Sequence, residues 1–485
     1  MRLRNLSHVL AYRYSTHSLD EIRVRPKLFS GRSVRGTVSF SSNGSEKSFE
    51  VLYSYNSDVA INENIAGLLM AMPAINFTLF SRKLVLDFPV SDADLRHIRE
   101  FVRINNREVF VNKLARRRYE FFRKEFLPSE SDLTEENSNG ITKVEATSMA
   151  KESIPENSGF NSKRVAVLSS GGKESLLSYG MLREAGAETH AFYFNESGSH
   201  WFTASTAYSY YSKKFSNVHK VWSNVDRLYR FFLRNLEPID QDAIRRKTDT
   251  YPVQLFIFPV YAMALVPVAL KYGISSMVLG DEFDDPREMP PYRGISHYYG
   301  VYDQSHDFNA FMSQYFSSKG IDLKVWTAVY PVAGSVVEKA LVRRYPELFR
   351  LQRSCHSCRS INGKMVPCGR CSKCMGIVMF VLAAGGDPSD ILYRKETVDN
   401  LGELVAKERM RLDSDELNLM KGMLNLASVD ISTLEHVEGI HILPDEKVPF
   451  EKAPELFRES IQKIIAQYSN GIYHLNNGQW KRTGN

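Results

Sequence analysis

The residues of this chain best placed to do chemistry lie in the run Arg164-Val-Ala-Val-Leu-Ser-Ser-Gly-Gly-Lys-Glu-Ser175. An apolar, β-branched stretch ends in Ser169, Ser170, Gly171 and Gly172, and a helical pattern starts at Lys173. Strand, glycine turn and helix start together make an anion site. The glycines let the backbone approach a phosphate, the free amides of the first helical turn point at it, and the helix dipole adds partial positive charge. A phosphorylated ligand, most simply a nucleotide, is expected at residues 169–175. The spacing excludes two common phosphate loops. A Walker loop needs four residues between its glycine and a Gly-Lys-Ser/Thr, whereas here the glycines are adjacent and the lysine follows directly. A dinucleotide fingerprint needs Gly-x-Gly-x-x-Gly at this turn, and there is none.

Two further groups carry chemistry. The acidic stretch Gly280-Asp-Glu-Phe-Asp-Asp285 follows a β-branched run, and at a strand end facing a triphosphate its carboxylates suit magnesium. Downstream, Asp303 and Gln304 stand in a segment dense in tyrosine and histidine and are candidates to read a polar substrate; the tyrosines equally suit an aromatic core. All five cysteines fall within twenty residues, as Cys355-x-x-Cys358 and Cys368-x-x-Cys371-x-x-Cys374. Such spacing suits tetrahedral, structural zinc with no open coordination position. Cys358, Cys368, Cys371 and Cys374 make the tighter loop; Cys355 is the alternative to Cys358, and His356 is a poorer one.

These groups need elements to hold them. From residue 163 onward strand and helix patterns alternate, which predicts an α/β domain with a parallel sheet. Strands are expected at 164–168, 189–194, 218–222 and 276–280, and helices at 174–185, 201–215, 225–236 and 251–272. Ligands on such sheets sit beyond the carboxyl ends of the strands. The glycine turn, the loop Asn195-Glu-Ser and the acidic stretch all fall there, so three loops should converge on one crevice. The predicted organisation is an amino-terminal α+β module at 1–126, a flexible linker at 127–160, a nucleotide-binding domain with the cysteine cluster at 161–400 and a mostly helical region at 401–485. The linker is expected because 127–160 is rich in Ser, Glu and Asn and poor in large apolar residues.

Composition narrows the function classes. The net charge of +6 over 485 residues permits a polyanionic partner without requiring one. The densest basic stretch, 113–124, reads as an amphipathic helix before it reads as a nucleic-acid patch. The longest uncharged apolar run, 255–270, contains Pro259 and Pro267 and is short for a membrane span. No apolar leader follows Met1. A cytoplasmic protein with no membrane partner is expected.

The loop resembles the PP-loop of the ATP pyrophosphatases, Ser-Gly-Gly-x-Asp-Ser, through Ser170, Gly171, Gly172, Lys173 and Ser175; Glu174 stands where that family usually has Asp. The resemblance implies an adenine nucleotide alpha hydrolase-like fold, with ATP and Mg2+ held by 169–175 and with Phe194, Asn195 and Gly280 as nucleotide contacts. It also implies, more loosely, a substrate-side role for Tyr251-Pro-Val-Gln-Leu-Phe. A PP-loop domain followed by Cys-x-x-Cys-x-x-Cys is similar to the zinc-bearing 7-cyano-7-deazaguanine synthases, which adenylate a carboxylate. The whole-chain layout looks more like the MurL family, the UDP-N-acetylmuramoyl-L-alanyl-L-glutamate epimerases. The features are the amino-terminal module, Ser-Gly-Gly-Lys-Glu-Ser, Gly-Asp-Glu-Phe-Asp-Asp, Tyr-Gly-Val-Tyr-Asp-Gln-Ser and Cys-Gly-Arg-Cys-Ser-Lys-Cys.

The expected activity is therefore ATP-dependent carboxylate adenylation with release of pyrophosphate. The substrate is a small-molecule carboxylate, a UDP-sugar peptide on the MurL-like pattern. Lys173 would hold the β- and γ-phosphates; Asp281, Glu282 and Asp303 are candidate bases for an α-proton. Three alternatives stand beside it: amide or nitrile formation as in the deazaguanine relatives, tRNA modification, and a nucleotide sensor without turnover. Of these, tRNA modification is disfavoured by the weak basic signal and the single spare cysteine.

Overall fold

The protein is described from a computed structural model covering residues 16–117, 120–152, 154–155, 159–198, 200–246, 253, 256–283, 288–355, 357–407, 410 and 412–483. Ten strands form one sheet: β1 (Glu21–Ser30), β2 (Ser33–Ser42), β3 (Ser45–Tyr55), β4 (Lys83–Val90), β5 (Lys143–Met149), β6 (Asn161–Leu168), β7 (Glu188–Asn195), β8 (Val218–Ser223), β9 (Ile274–Leu279) and β10 (Lys324–Thr327). Their spatial order is β10-β9-β6-β7-β8-β3-β2-β1-β4-β5.

Five adjacent strands, β10-β9-β6-β7-β8, are all parallel. Taken in chain order among themselves they run 5-4-1-2-3, the doubly wound arrangement whose order reverses beside its first strand. That reversal lies between β6 and β9, so the loops leaving β6 and β9 diverge and open a crevice at their carboxyl ends. The four strands expected in this region are present.

The sheet divides the core because side chains alternate across it. Val165 and Val167 of β6 join one buried cluster with the helices Lys173–Glu184, His200–Lys214, Gly334–Arg344 and Ser372–Ala383. Ala166 joins the other with the helices Val225–Asn235, Phe258–Tyr272 and His306–Ser318. In β1 to β3 the buried apolar side chains, among them Val24, Val38 and Val51, all belong to the second cluster. That half of the sheet is covered on one face only, as antiparallel strands allow.

Several boundaries differ from the sequence expectation. The amino-terminal strands are continuous with the parallel sheet, because β3 pairs antiparallel with β8 through Tyr53 opposite Ser223 and Tyr55 opposite Val221. The segment 127–160 carries a short helix, Glu135–Asn139, and β5, which pairs parallel with β4 at the sheet edge. An edge strand is held by backbone hydrogen bonds and needs little apolar surface; Val144 is its one buried residue. Composition alone therefore mistook it for a linker. The helix expected at 251–272 starts at Phe258, with Pro259 in its first turn, where a missing N–H costs nothing. The basic stretch is not one helix: Asp92–Val109 continues as a wider turn through Phe110–Ala115, and Arg117 at φ 48° leaves it. The carboxy-terminal region adds to its helices a three-stranded sheet of Ile440–Ile442, Ile472–Asn476 and Gln479–Arg482. Its hairpin turns on Asn477-Gly478, both at positive φ, which is the residue pair such a two-residue turn demands. Among the described residues no helix is long and apolar enough to cross a membrane.

Candidate functional site

The glycine turn leaves β6 at its carboxyl end and enters the helix Lys173–Glu184. Gly171 has φ +78°, and a Cβ there would stand 2.6 Å from the carbonyl oxygen of Thr203, so both conformation and space demand glycine. Gly172 begins the helix, and no side chain caps it. Its own N–H instead reaches Ser170 Oγ at 3.2 Å. The helix start thus has no N-cap side chain, and the Glu174 carboxylate accepts the amide of its own residue in the first turn.

A cleft of about 490 Å³ opens over this turn. Ser169, Ser170, Gly172, Glu174 and Ser175 line it from β6; Phe194 and Glu196 from β7; Gly280, Asp281 and Glu282 from β9. Gly280 is required by closeness, since a Cβ there would lie 2.9 Å from Glu174 Cβ. Three loops expected to converge do so at the reversal point of the sheet. Asn195 is not on this wall; its Oδ1 accepts the Ser197 amide at 2.9 Å and shapes the loop. Asp284, Asp285 and Arg287 of the acidic stretch, His356, and most of 251–255 lie outside the described residues.

Lys173 is buried beside the cleft. Its Nζ donates to Glu174 Oε1 at 2.6 Å and to Glu282 Oε1 and Oε2 at 2.8 and 2.9 Å. Burial works to lower its pKa, but Glu174 and Glu282 overcome this and hold it well above the ordinary lysine value. Asp281 is buried too, with Oδ2 accepting from Asn309 Nδ2 at 2.9 Å. Burial, helped by the neighbouring Asp303, pushes its carboxyl up to about 8. Asp303 accepts the amides of Ile257 and Phe258 at 3.0 and 3.2 Å, which fixes the start of the helix Phe258–Tyr272; burial raises it to about 7. Its neighbour Gln304 is the one that lines the cleft.

Sequence reasoning missed several wall residues. Tyr261 donates to Glu196 Oε2 at 3.0 Å, and burial raises the Glu196 carboxyl. Asp226, Arg353 and Lys373 also line the cleft. Asp226 sits within an amphipathic helical pattern and Tyr261 within an almost wholly apolar one, and neither pattern carries functional signal. Arg353 and Lys373 flank cysteines, and that position was the available signal.

The cysteine group adjoins the cleft. Cys355, Cys368, Cys371 and Cys374 have their sulfurs within 4.8 Å of one another, with Cys368 to Cys374 at 3.8 Å and Cys371 to Cys374 at 3.5 Å. Four thiolates about 2.3 Å from a tetrahedral zinc stand about 3.8 Å apart, so the set fits a structural metal such as zinc. The amides of Ser357 and Cys368 both donate to Cys355 Sγ at 3.2 Å and so orient the sulfur. The preferred fourth ligand is thereby corrected: Cys355 completes the set and Cys358 does not. The tighter loop in sequence is not the tighter cluster in space, because Cys355 follows directly on a segment pinned to the glycine turn. Arg353 N–H donates to Gly171 O at 2.9 Å, and the Arg353 guanidinium donates to the carbonyls of Met365, Arg350 and Gln352. No protein-family model matches this chain, and no curated protein matches it.

Proposed function

We propose that the cleft binds ATP and activates a carboxylate as its adenylate, releasing pyrophosphate. The observation that carries this is the uncapped helix start at the reversal point of the sheet. It is entered through a turn that admits only glycine at position 171 and faces a wall of carboxylates from β9. A phosphate chain laid on this helix start would meet Glu174 and Glu282, which suit a magnesium ion that neutralises developing charge. The substrate carboxylate oxygen attacks the α-phosphorus, the bond from that phosphorus to the β-phosphate oxygen breaks, and pyrophosphate leaves.

The resemblance of the sequence layout to the MurL family points to a second step. Adenylation removes the carboxylate's negative charge, so the α-proton becomes acidic enough for a protein base. Asp281 suits that role: it lines the cleft, and its pKa of about 8 matches proton transfer near neutrality. Reprotonation on the opposite face inverts the centre, and hydrolysis releases AMP. On this reading the substrate is the terminal L-glutamate of UDP-N-acetylmuramoyl-L-alanyl-L-glutamate or a related carboxylate.

Isotope exchange between pyrophosphate and ATP across a panel of carboxylates tests the first step; no substrate-dependent exchange sinks it. Uptake of solvent deuterium at the α-carbon, dependent on ATP, tests the second. Amide or nitrile product formed only with ammonia would instead favour the deazaguanine-like alternative.

A further inference from the structure

We propose that Lys373, not Lys173, is the side chain that meets the nucleotide's phosphates, with the cysteine-bound turn as its mount. This deepens the ATP-binding reading above and rests on it.

Lys173 is already spent. An ammonium has three protons, and Lys173 directs them to Glu174 and Glu282 in three contacts of 2.6 to 2.9 Å. It is 5% exposed and is absent from the cleft wall, whereas both of its carboxylate partners are on that wall. The trio of one ammonium and two carboxylates is net negative. Glu174 also leans back over the turn: a Cβ on Gly172 would stand 2.7 Å from Glu174 Oε2. A phosphate chain arriving at the helix start therefore meets negative charge from β9 and from the first helical turn, and besides the magnesium ion it needs a protein cation from elsewhere.

The cysteine segment supplies one. Lys373 is exposed, lines the same cleft, and exerts its field on Glu174. Among the described residues it makes no ion pair, so its charge is available. Its backbone is held on both sides, by Cys371 and Cys374, at the start of the helix Ser372–Ala383. The cysteine turn thus fixes the root of a side chain whose tip is exposed to the cleft. Among the described residues Arg353 is another cation on this wall, but its guanidinium holds three carbonyls of the turn, so replacing it would disturb the fold.

The test is calorimetric titration of the full-length protein with inorganic pyrophosphate and with α,β-methylene-ATP, each with magnesium. K373A should weaken both by about tenfold or more, the scale of one charge-assisted contact, while K373R stays near wild type. Zinc content and thermal unfolding should be unchanged in both variants. Wild-type affinity in K373A overturns the proposal and leaves the ATP reading standing. Loss of zinc together with affinity in K373A also overturns it, because the lysine would then act through the fold. A wild-type protein that binds neither probe overturns the ATP reading, and the proposal with it.

Discussion

Glu338→Gln is expected to make the protein more stable at alkaline pH and to leave it unchanged in acid. Glu338 lies on the helix Gly334–Arg344, fully buried, with Oε2 accepting from Gln352 Nε2 at 2.9 Å. Burial pushes its carboxyl from 4.5 up to about 8, with Lys173 opposing and Glu174 adding to the rise. Between those two pH values the folded chain keeps a proton that the unfolded chain releases, so stability falls as pH rises. At about 1.4 kcal/mol per pH unit, the interval amounts to about 5 kcal/mol between pH 4.5 and 8. Glutamine has the same shape, can still accept the Gln352 bond, and does not titrate. Asp281 and Asp303, raised to about 8 and about 7, contribute slopes of the same sign to both proteins, so the difference isolates Glu338. Urea unfolding at pH 4.5 through 8.5 should give a variant-minus-wild-type difference that grows steadily across that range and then levels. Parallel curves would refute the reasoning, since they would mean that Glu338 is ionised in the folded protein.

Four further outcomes follow from the same structure. Gly171→Ala should cost about 2 kcal/mol or more in urea unfolding, from a left-handed backbone and a carbonyl that cannot move aside, and should abolish pyrophosphate binding; full retention of both would remove the close-approach argument. Cys355→Ser should lose its zinc in elemental analysis while Cys358→Ser keeps it, and the reverse would reassign the ligand set. Lys319→Met leaves Asp94 buried without its cation at 2.8 Å and should destabilise the protein by about 3 to 5 kcal/mol; a loss below about 1 kcal/mol would show that Asp94 is solvated or protonated. Deuterium exchange at the substrate α-carbon should rise with pH toward about 8 and vanish in Asp281→Asn; a flat profile would exclude that carboxylate as the base.

The glycine loop was legible because its constraints are local. Strand, turn and helix start are set by neighbouring residues, and Gly171 answers to a backbone conformation that few other residues adopt. The alternating strands 164–168, 189–194, 218–222 and 276–280 were legible for the same reason, through short-range hydrophobic pattern. Strand β5 was not, because an edge strand draws its stability from backbone pairing that composition does not record. The choice between Cys355 and Cys358 was not legible either. Spacing gave five thiols for four positions, and only the folded arrangement of the turn after Gly171 and Arg353 brings Cys355 into the cluster.

By itself, the sequence determined that a glycine turn between strand and helix, an acidic strand end and a cysteine cluster exist, since each is written in consecutive or closely spaced residues. Tertiary structure decided which charges face the cleft. Lys173 stands in the loop's own sequence, yet Glu282, over a hundred residues away, captures its ammonium. Lys373, two hundred residues from the loop, lines the same cleft from the cysteine turn. Charge is a property of a residue type, but its availability depends on every ionised neighbour within a few ångströms, and those neighbours are assembled only when the chain folds.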